Sequence, residues 1–188
     1  MPNDWTLDTN VLINANGPRP LGRARQEVRA AAPQAGAPIG TCQTARALLK
    51  CIGRCGYWNW SVAVAQEYIN RGAINLRSCP PPIPVVNQSN HTFCDAWLAD
   101  LGHQQRIIYH RSVRRLTGAE EDDLRRAQFR DRGDHPFLEL ARSSESKCLV
   151  TQEADYNANT IRSIRRILAV TCYDYAMALR DCQVAGGE

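Results

Sequence analysis

Short apolar runs alternate with amphipathic stretches along most of the chain. Trp5-Thr6-Leu7 reads as a buried first strand. Asp8-Thr9-Asn10 makes a polar turn, and Val11-Leu12-Ile13 starts a helix. The spacing predicts a helix over 43–52, with Ala47, Leu48 and Ile52 apolar, and a second strand over 57–62. A helix over 63–71 carries Glu67, a further helix spans 93–101, and 106–109 forms a short strand. Thr117-Gly118-Ala119-Glu120 has the spacing of a capping box and opens a charged helix running to 129. Gly133-Asp134-His135-Pro136 opens another, with Phe137, Leu140 and Ala141 on one face. Proline is tolerated there because amides of the first turn have no helical partner to lose. Residues 148–151 form a buried strand, 167–171 the last strand and 174–180 the last helix.

This alternation predicts an α/β protein: a three-layer α/β/α sandwich around a central, mostly parallel sheet. One domain is expected over 1–188, with its core over about 5–180. Residues 17–41 are rich in Gly, Pro, Ala and Arg and form an insertion or loop-rich segment, with an exposed helix over 21–32 and a loop over 33–40. Residues 79–84, with their run of prolines, make an extended surface connector. Residues 185–188 form a frayed tail.

Composition narrows the class. A hydrophobic fraction of 44% and a charged fraction of 22% suit a folded globular chain and argue against disorder. No stretch approaches a membrane span, and Met1-Pro2-Asn3-Asp4 does not begin a signal peptide, so the expected compartment is the cytoplasm, with no membrane partner. The eight cysteines are expected to be reduced and mostly buried. Cys51 with Cys55, and His91 with Cys94, each offer half of a zinc site, but neither pair recurs at ribbon or finger spacing. The net charge of +4 matters less than its clustering, in Arg111/Arg114/Arg115, Arg125/Arg126/Arg130/Arg132 and Arg162/Arg165/Arg166. The same clusters also suit solvated helix faces.

The candidate chemistry lies in the carboxylates. Asp8, Glu153 and Asp155 all fall just past strand ends, where parallel sheets bind ligands. Converging acids repel one another, and a bound divalent cation removes that penalty. Taken singly, Asp8 and Asp134 could each cap a helix, Glu67 could be a surface residue, and Glu153 and Asp155 could be turn formers. A phosphatase using a nucleophilic aspartate with a second aspartate two residues on is disfavoured, because Asn10 stands in the place of its acid/base partner.

Four segments, in order, resemble the acidic motifs of PIN-domain proteins: Trp-Thr-Leu-Asp-Thr-Asn-Val-Leu-Ile (5–13), Val-Ala-Gln-Glu-Tyr-Ile around Glu67, Gly-Asp-His-Pro-Phe-Leu-Glu-Leu-Ala (133–141) and Cys-Leu-Val-Thr-Gln-Glu-Ala-Asp-Tyr (148–156). The resemblance implies that Asp8, Glu67 and Asp134 bind cations directly. Glu153 occupies a slot usually held by Asp, and Asp155 is the alternative fourth ligand. Asn10 and Thr151 would orient an acid or a water. The implied cofactor is one or two Mg²⁺ or Mn²⁺ ions, and the implied activity is hydrolysis of RNA phosphodiester bonds by an endoribonuclease. Rim arginines Arg111, Arg114, Arg162, Arg165 and Arg166 would attract the substrate. Trp58, Trp60 and Tyr156 would stack on bases or, for the tryptophans in particular, fill the core. The resemblance further implies the toxin of a toxin–antitoxin pair, with a protein antitoxin and a homodimer as partners. The alternative is a non-catalytic PIN-like module that binds RNA or protein.

Overall fold

The computed structural model describes residues 2–17, 39–74, 76–78, 85–86, 92–153 and 155–186. Its frame is a five-stranded, all-parallel sheet in the order β5-β2-β1-β6-β7. The strands are β1 (Asp4–Leu7), β2 (Tyr57–Trp60), β5 (Ile107–Tyr109), β6 (Cys148–Val150) and β7 (Thr171–Tyr173). A separate antiparallel pair, β3 (Leu76–Ser78) and β4 (Val85–Val86), was not anticipated from the apolar pattern. The helices are α1 (Thr9–Asn16), α2 (Ile39–Cys55), α3 (Val62–Asn70), α4 (Phe93–His103), α5 (Gly118–Arg126), α6 (His135–Ser143), α7 (Ala158–Leu168) and α8 (Tyr175–Gly186).

Strand order explains the layers. From β1 the chain crosses to β2 and then β5 in one direction, while β6 to β7 runs in the other. Right-handed crossovers therefore place the connections on opposite faces. Helices α1, α2, α4 and α8 pack together, whereas α6 lies on β1, β2 and β6, and α7 packs on β7 and α5. Sheet strands covered on both faces are uniformly apolar rather than alternating, and every residue of β1 and β6 is buried. Trp58 sits at the centre of an aromatic cluster, with ring centroids 6.2 Å from Trp60, 5.8 Å from Tyr68 and 5.8 Å from Trp97.

Local chemistry sets the helix starts. Thr92 and Thr117 form complete capping boxes with Asp95 and Glu120, the second of them at the predicted spacing. Ser61 caps α3, and Asn157 accepts from the amides of Asn159 and Thr160 at the start of α7. Pro136 stands in the first turn of α6.

Several expected boundaries move. Helix α2 begins at Ile39 rather than near residue 43, so it claims part of the expected 33–40 loop. Residues 167–171 are not a strand: Ile167 and Leu168 end α7, a helix not among the expected elements, and the last strand starts at Thr171. Ala169, in the left-handed region at φ 58°, makes the reversal between them. Helix α5 ends at Arg126 rather than at 129, and α8 extends to Gly186, so Ala185 and Gly186 are helical rather than frayed. The expected helix over 21–32 and the connector over 79–84 lie outside the described residues. Among the described residues, no helix is long and apolar enough to cross a membrane.

One buried acid holds the amino ends of the strands together. Asp4 accepts from the amides of Ser146 (2.8 Å) and Glu145 (3.1 Å) and from the Asn59 side chain (3.2 Å). Asn59 in turn bonds His110 at 2.9 Å. Asp4 thus joins β1, β2, the end of β5 and the loop before β6. Replacing Asp4 with Ala leaves the fully buried Asn59 amide without this acceptor, and the expected loss is about 1–3 kcal/mol, read as a lowered urea midpoint at unchanged slope.

Candidate metal centre

The sheet reverses direction in its connections between β1 and β6, and such a switch point opens a crevice beyond the carboxyl strand ends. Asp8 follows β1 directly, and Glu153 follows β6 by three residues. Asp134 enters from the other side, at the junction of the 3-10 turn Arg132–Asp134 with α6. One carboxylate oxygen from each of Asp8, Asp134 and Glu153 lies within 4.8 Å of the other two. Asp8 and Asp134 are 2% and 6% exposed, so water screens their mutual repulsion poorly.

Each acid is held in place. Asp8 has the extended backbone of a helix N-cap, yet its side chain makes no capping bond. Its Oδ2 instead accepts from the Thr151 hydroxyl at 2.7 Å. The Asn10 side-chain amide donates to Glu153. Asp134 also stands at an N-cap position without a capping bond, and its carboxylate is buried. The neighbouring Tyr156 hydroxyl, also buried, acts on that carboxylate as a hydrogen-bond donor. Three buried or half-buried carboxylates with so few donors are costly to ionise together without a counter-charge.

Burial raises all three acids, and repulsion from nearby carboxylates adds to it. Burial pushes Asp8 up, opposed by the Thr151 hydroxyl and the amides of Asn10 and Thr9, with Asp131 adding repulsion. Asp134 is pushed to about 8 by burial and then by the fields of Asp8, Glu153 and Asp131, with the Tyr156 hydroxyl pulling the other way. Glu153 rises to about 7, first through burial, then through Asp8 and Asp131, with Asn10 pulling the other way.

The remaining expected residues are placed differently. Glu67 does not join the converging trio: its carboxylate pairs with Arg71 at 2.7 Å, one helical turn on. Asp155 is exposed and outside the trio, although its charge reaches Glu153. Of the two neighbours the sequence left open, Glu153 is the one that converges. Arg162, Arg165 and Arg166 are exposed on α7. Arg111 and Arg114 are exposed beyond β5, and Arg111 lines a recess of about 260 Å³ with Ser61, His110 and Arg115. Trp58 and Trp60 are fully buried and Tyr156 is 7% exposed, packed edge-on against Phe129 at 5.3 Å. None of the three can stack on a base, because each ring is already enclosed by protein.

Sequence reasoning missed Asp131 and Arg71. Asp131 sits three residues before Asp134, its carboxylate accepts from the Gly133 amide at 2.7 Å, and its field acts on all three converging acids. The Asp-x-Gly spacing, a side chain closing its own turn, was the available signal. Arg71 feels Glu67, then Asp131 and Glu153, and the i,i+4 spacing from Glu67 was visible. A third omission is a recess of about 310 Å³ lined by Arg125, Arg130, Arg132, His135, Phe129 and Glu121, next in the chain to Asp134.

The donor set suits a hard divalent cation. Oxygens sharing one Mg²⁺ stand about 2.9–4.2 Å apart, given metal–oxygen distances of about 2.1 Å, so only small torsional changes separate the trio from coordination. No protein-family model matches this chain, and no curated protein gives a significant match.

The raised acids predict how stability depends on pH. Asp134 lies near 8 in the folded chain against 3.8 as reference, and Glu153 near 7 against 4.5. Between these values the folded chain holds protons that the unfolded chain releases. Their contribution is complete below about pH 4 and disappears as pH rises through 7 and 8. The melting temperature of cation-free protein should therefore fall across that window, and Asp134→Asn should flatten the fall. At pH 8 the variant should melt a few degrees higher than wild type, at about 2–4 °C per kcal/mol for a domain of this size. Parallel curves for the two proteins would contradict the assignment of this carboxyl as the buried, protonated group.

Proposed function

We propose that this chain is a divalent-cation-dependent endoribonuclease. The observation that carries the reading is the convergence of Asp8, Asp134 and Glu153 at the switch point of a parallel sheet. Mg²⁺ or Mn²⁺ held by these three carboxylates would supply charge neutralisation at the phosphate and an activated water. The four motifs that resemble PIN-domain proteins support the same chemistry and RNA as its substrate.

The chain's own residues would do the positioning. Thr151 orients Asp8, and Asn10 orients Glu153. The recess walled by Arg125, Arg130, Arg132 and His135 gives a polyanion a cationic approach beside an acidic centre. The α7 arginines, Arg162, Arg165 and Arg166, extend that attraction along the surface. A toxin role in the cytoplasm, countered by a protein antitoxin and exercised as a homodimer, belongs to this proposal through the resemblance. Inducible expression should then arrest growth, and Asp8→Asn should relieve it.

One observation favours the second reading, a non-catalytic RNA-binding module: Glu67 is engaged by Arg71 rather than by the acid trio. A cleavage assay on single-stranded RNA with Mn²⁺ separates the two. Under the nuclease reading, chelation abolishes cleavage, Asp8→Asn lowers it by more than about 100-fold, and Thr151→Val by about 10–100-fold. RNA binding without cleavage, identical in wild type and Asp8→Asn, would establish the binding module instead.

The recess makes a separate prediction. Replacing Arg130 and Arg132 together with Ala should raise KM for RNA several-fold with little change in kcat, and should shallow the salt dependence of binding. An unchanged KM would place the substrate elsewhere.

A further inference from the structure

A second cluster of ligating side chains lies away from the acids, where α8 packs on α2. Cys51 and Cys55 stand one turn apart on α2, and Cys182 reaches them from α8. The sulfurs of Cys51 and Cys55 are 3.6 Å apart, those of Cys55 and Cys182 are 3.4 Å apart, and all three lie within 4.8 Å of one another. All are free thiols. Cys51 and Cys182 are buried at 2% and 1% exposure, while Cys55 is partly open.

These separations match a thiolate site. Zinc binds cysteine sulfur at about 2.3 Å, so two sulfurs on one tetrahedral zinc stand about 3.8 Å apart. Three small apolar side chains could fill this interface without facing one another, yet here three sulfurs from two helices point to one spot. We propose that Cys51, Cys55 and Cys182 bind one Zn²⁺ ion, with solvent completing a tetrahedral site on the open side of Cys55. The thiol protons leave to solvent as the ion binds, so affinity falls as pH falls. Burial pushes the Cys51 and Cys182 thiols up, which keeps them neutral until a cation arrives.

The site has a mechanical consequence. Helix α8 is the last described element, and it packs on α2. A zinc ion bonded to both helices would clamp them together and couple the seating of α8 to zinc supply. This is a structural role, separate from the hard-cation chemistry proposed at Asp8, Asp134 and Glu153.

Cobalt titration of the reduced full-length chain under anaerobic conditions tests the idea. One equivalent of Co²⁺ should produce a sulfur-to-cobalt charge-transfer band, and one equivalent of Zn²⁺ should bleach it. Cys55→Ser, altering the partly open ligand, should weaken binding by more than about 100-fold. Asp8→Asn and Cys42→Ser should keep the band, which separates this site from the acidic centre and from thiols elsewhere. Zn²⁺ should also raise the melting temperature of wild type and Asp8→Asn, but not of folded Cys55→Ser. Absence of a charge-transfer band at one equivalent, or an undiminished band in Cys55→Ser, would overturn the proposal.

Discussion

Repulsion among buried carboxylates is the constraint around which this protein is organised. Asp8, Asp134 and Glu153 come within one ion's reach in a setting where burial weakens screening by water. Burial first, and repulsion from the neighbouring carboxylates second, push Asp134 up to about 8 and Glu153 up to about 7. A fold gains nothing in stability from such an arrangement. The arrangement is the ground on which a bound cation is proposed at this centre.

The architecture makes that juxtaposition possible. Parallel strands end on one edge, and opposed crossovers leave a crevice between β1 and β6. Two of the acids need only follow adjacent strands. The third needs a helix entering from another layer, and α6 provides it, seated on β1, β2 and β6. At the opposite edge Asp4 is also buried, but amide donors from Glu145 and Ser146 satisfy it. Two buried aspartates at the two ends of one strand therefore differ in kind: one has its donors built in, and the other belongs to a set short of them.

The thiol cluster follows the same geometric logic with softer ligands. Cys51 and Cys55 share a helix face because residues four apart always do. Cys182 lies more than a hundred residues away in sequence and joins them only because α8 docks on α2. Hard oxygen donors and soft sulfur donors thus occupy separate places in the fold, and the two sets would suit different cations.

Local chemistry was legible without coordinates. The apolar runs marked β1, β2, β5 and β6, the Thr117 capping box marked α5, and Pro136 marked the first turn of α6. Those features depend on residues a few positions apart, so adjacent side chains determine them. Asp8, Asp134 and Glu153 could be named as candidates for the same reason, since each follows a strand or opens a helix. Helix α7 carries a regular apolar stripe, Ile161, Ile164 and Leu168 with arginines on the other face, but its last turn runs into the apolar stretch 167–171, which by itself has the look of a strand. Which acids converge was a tertiary decision. Glu67 turns to Arg71, Asp155 stays exposed, and Asp131, unmarked by any apolar pattern, adds its field to the centre. The sequence by itself determined β1, β2, β5 and β6, the Thr117 cap and the supply of acids. Only the packing of α6 against the β1–β6 edge decided which of them meet, because electrostatic coupling depends on distance through space, and the register of distant segments sets that distance.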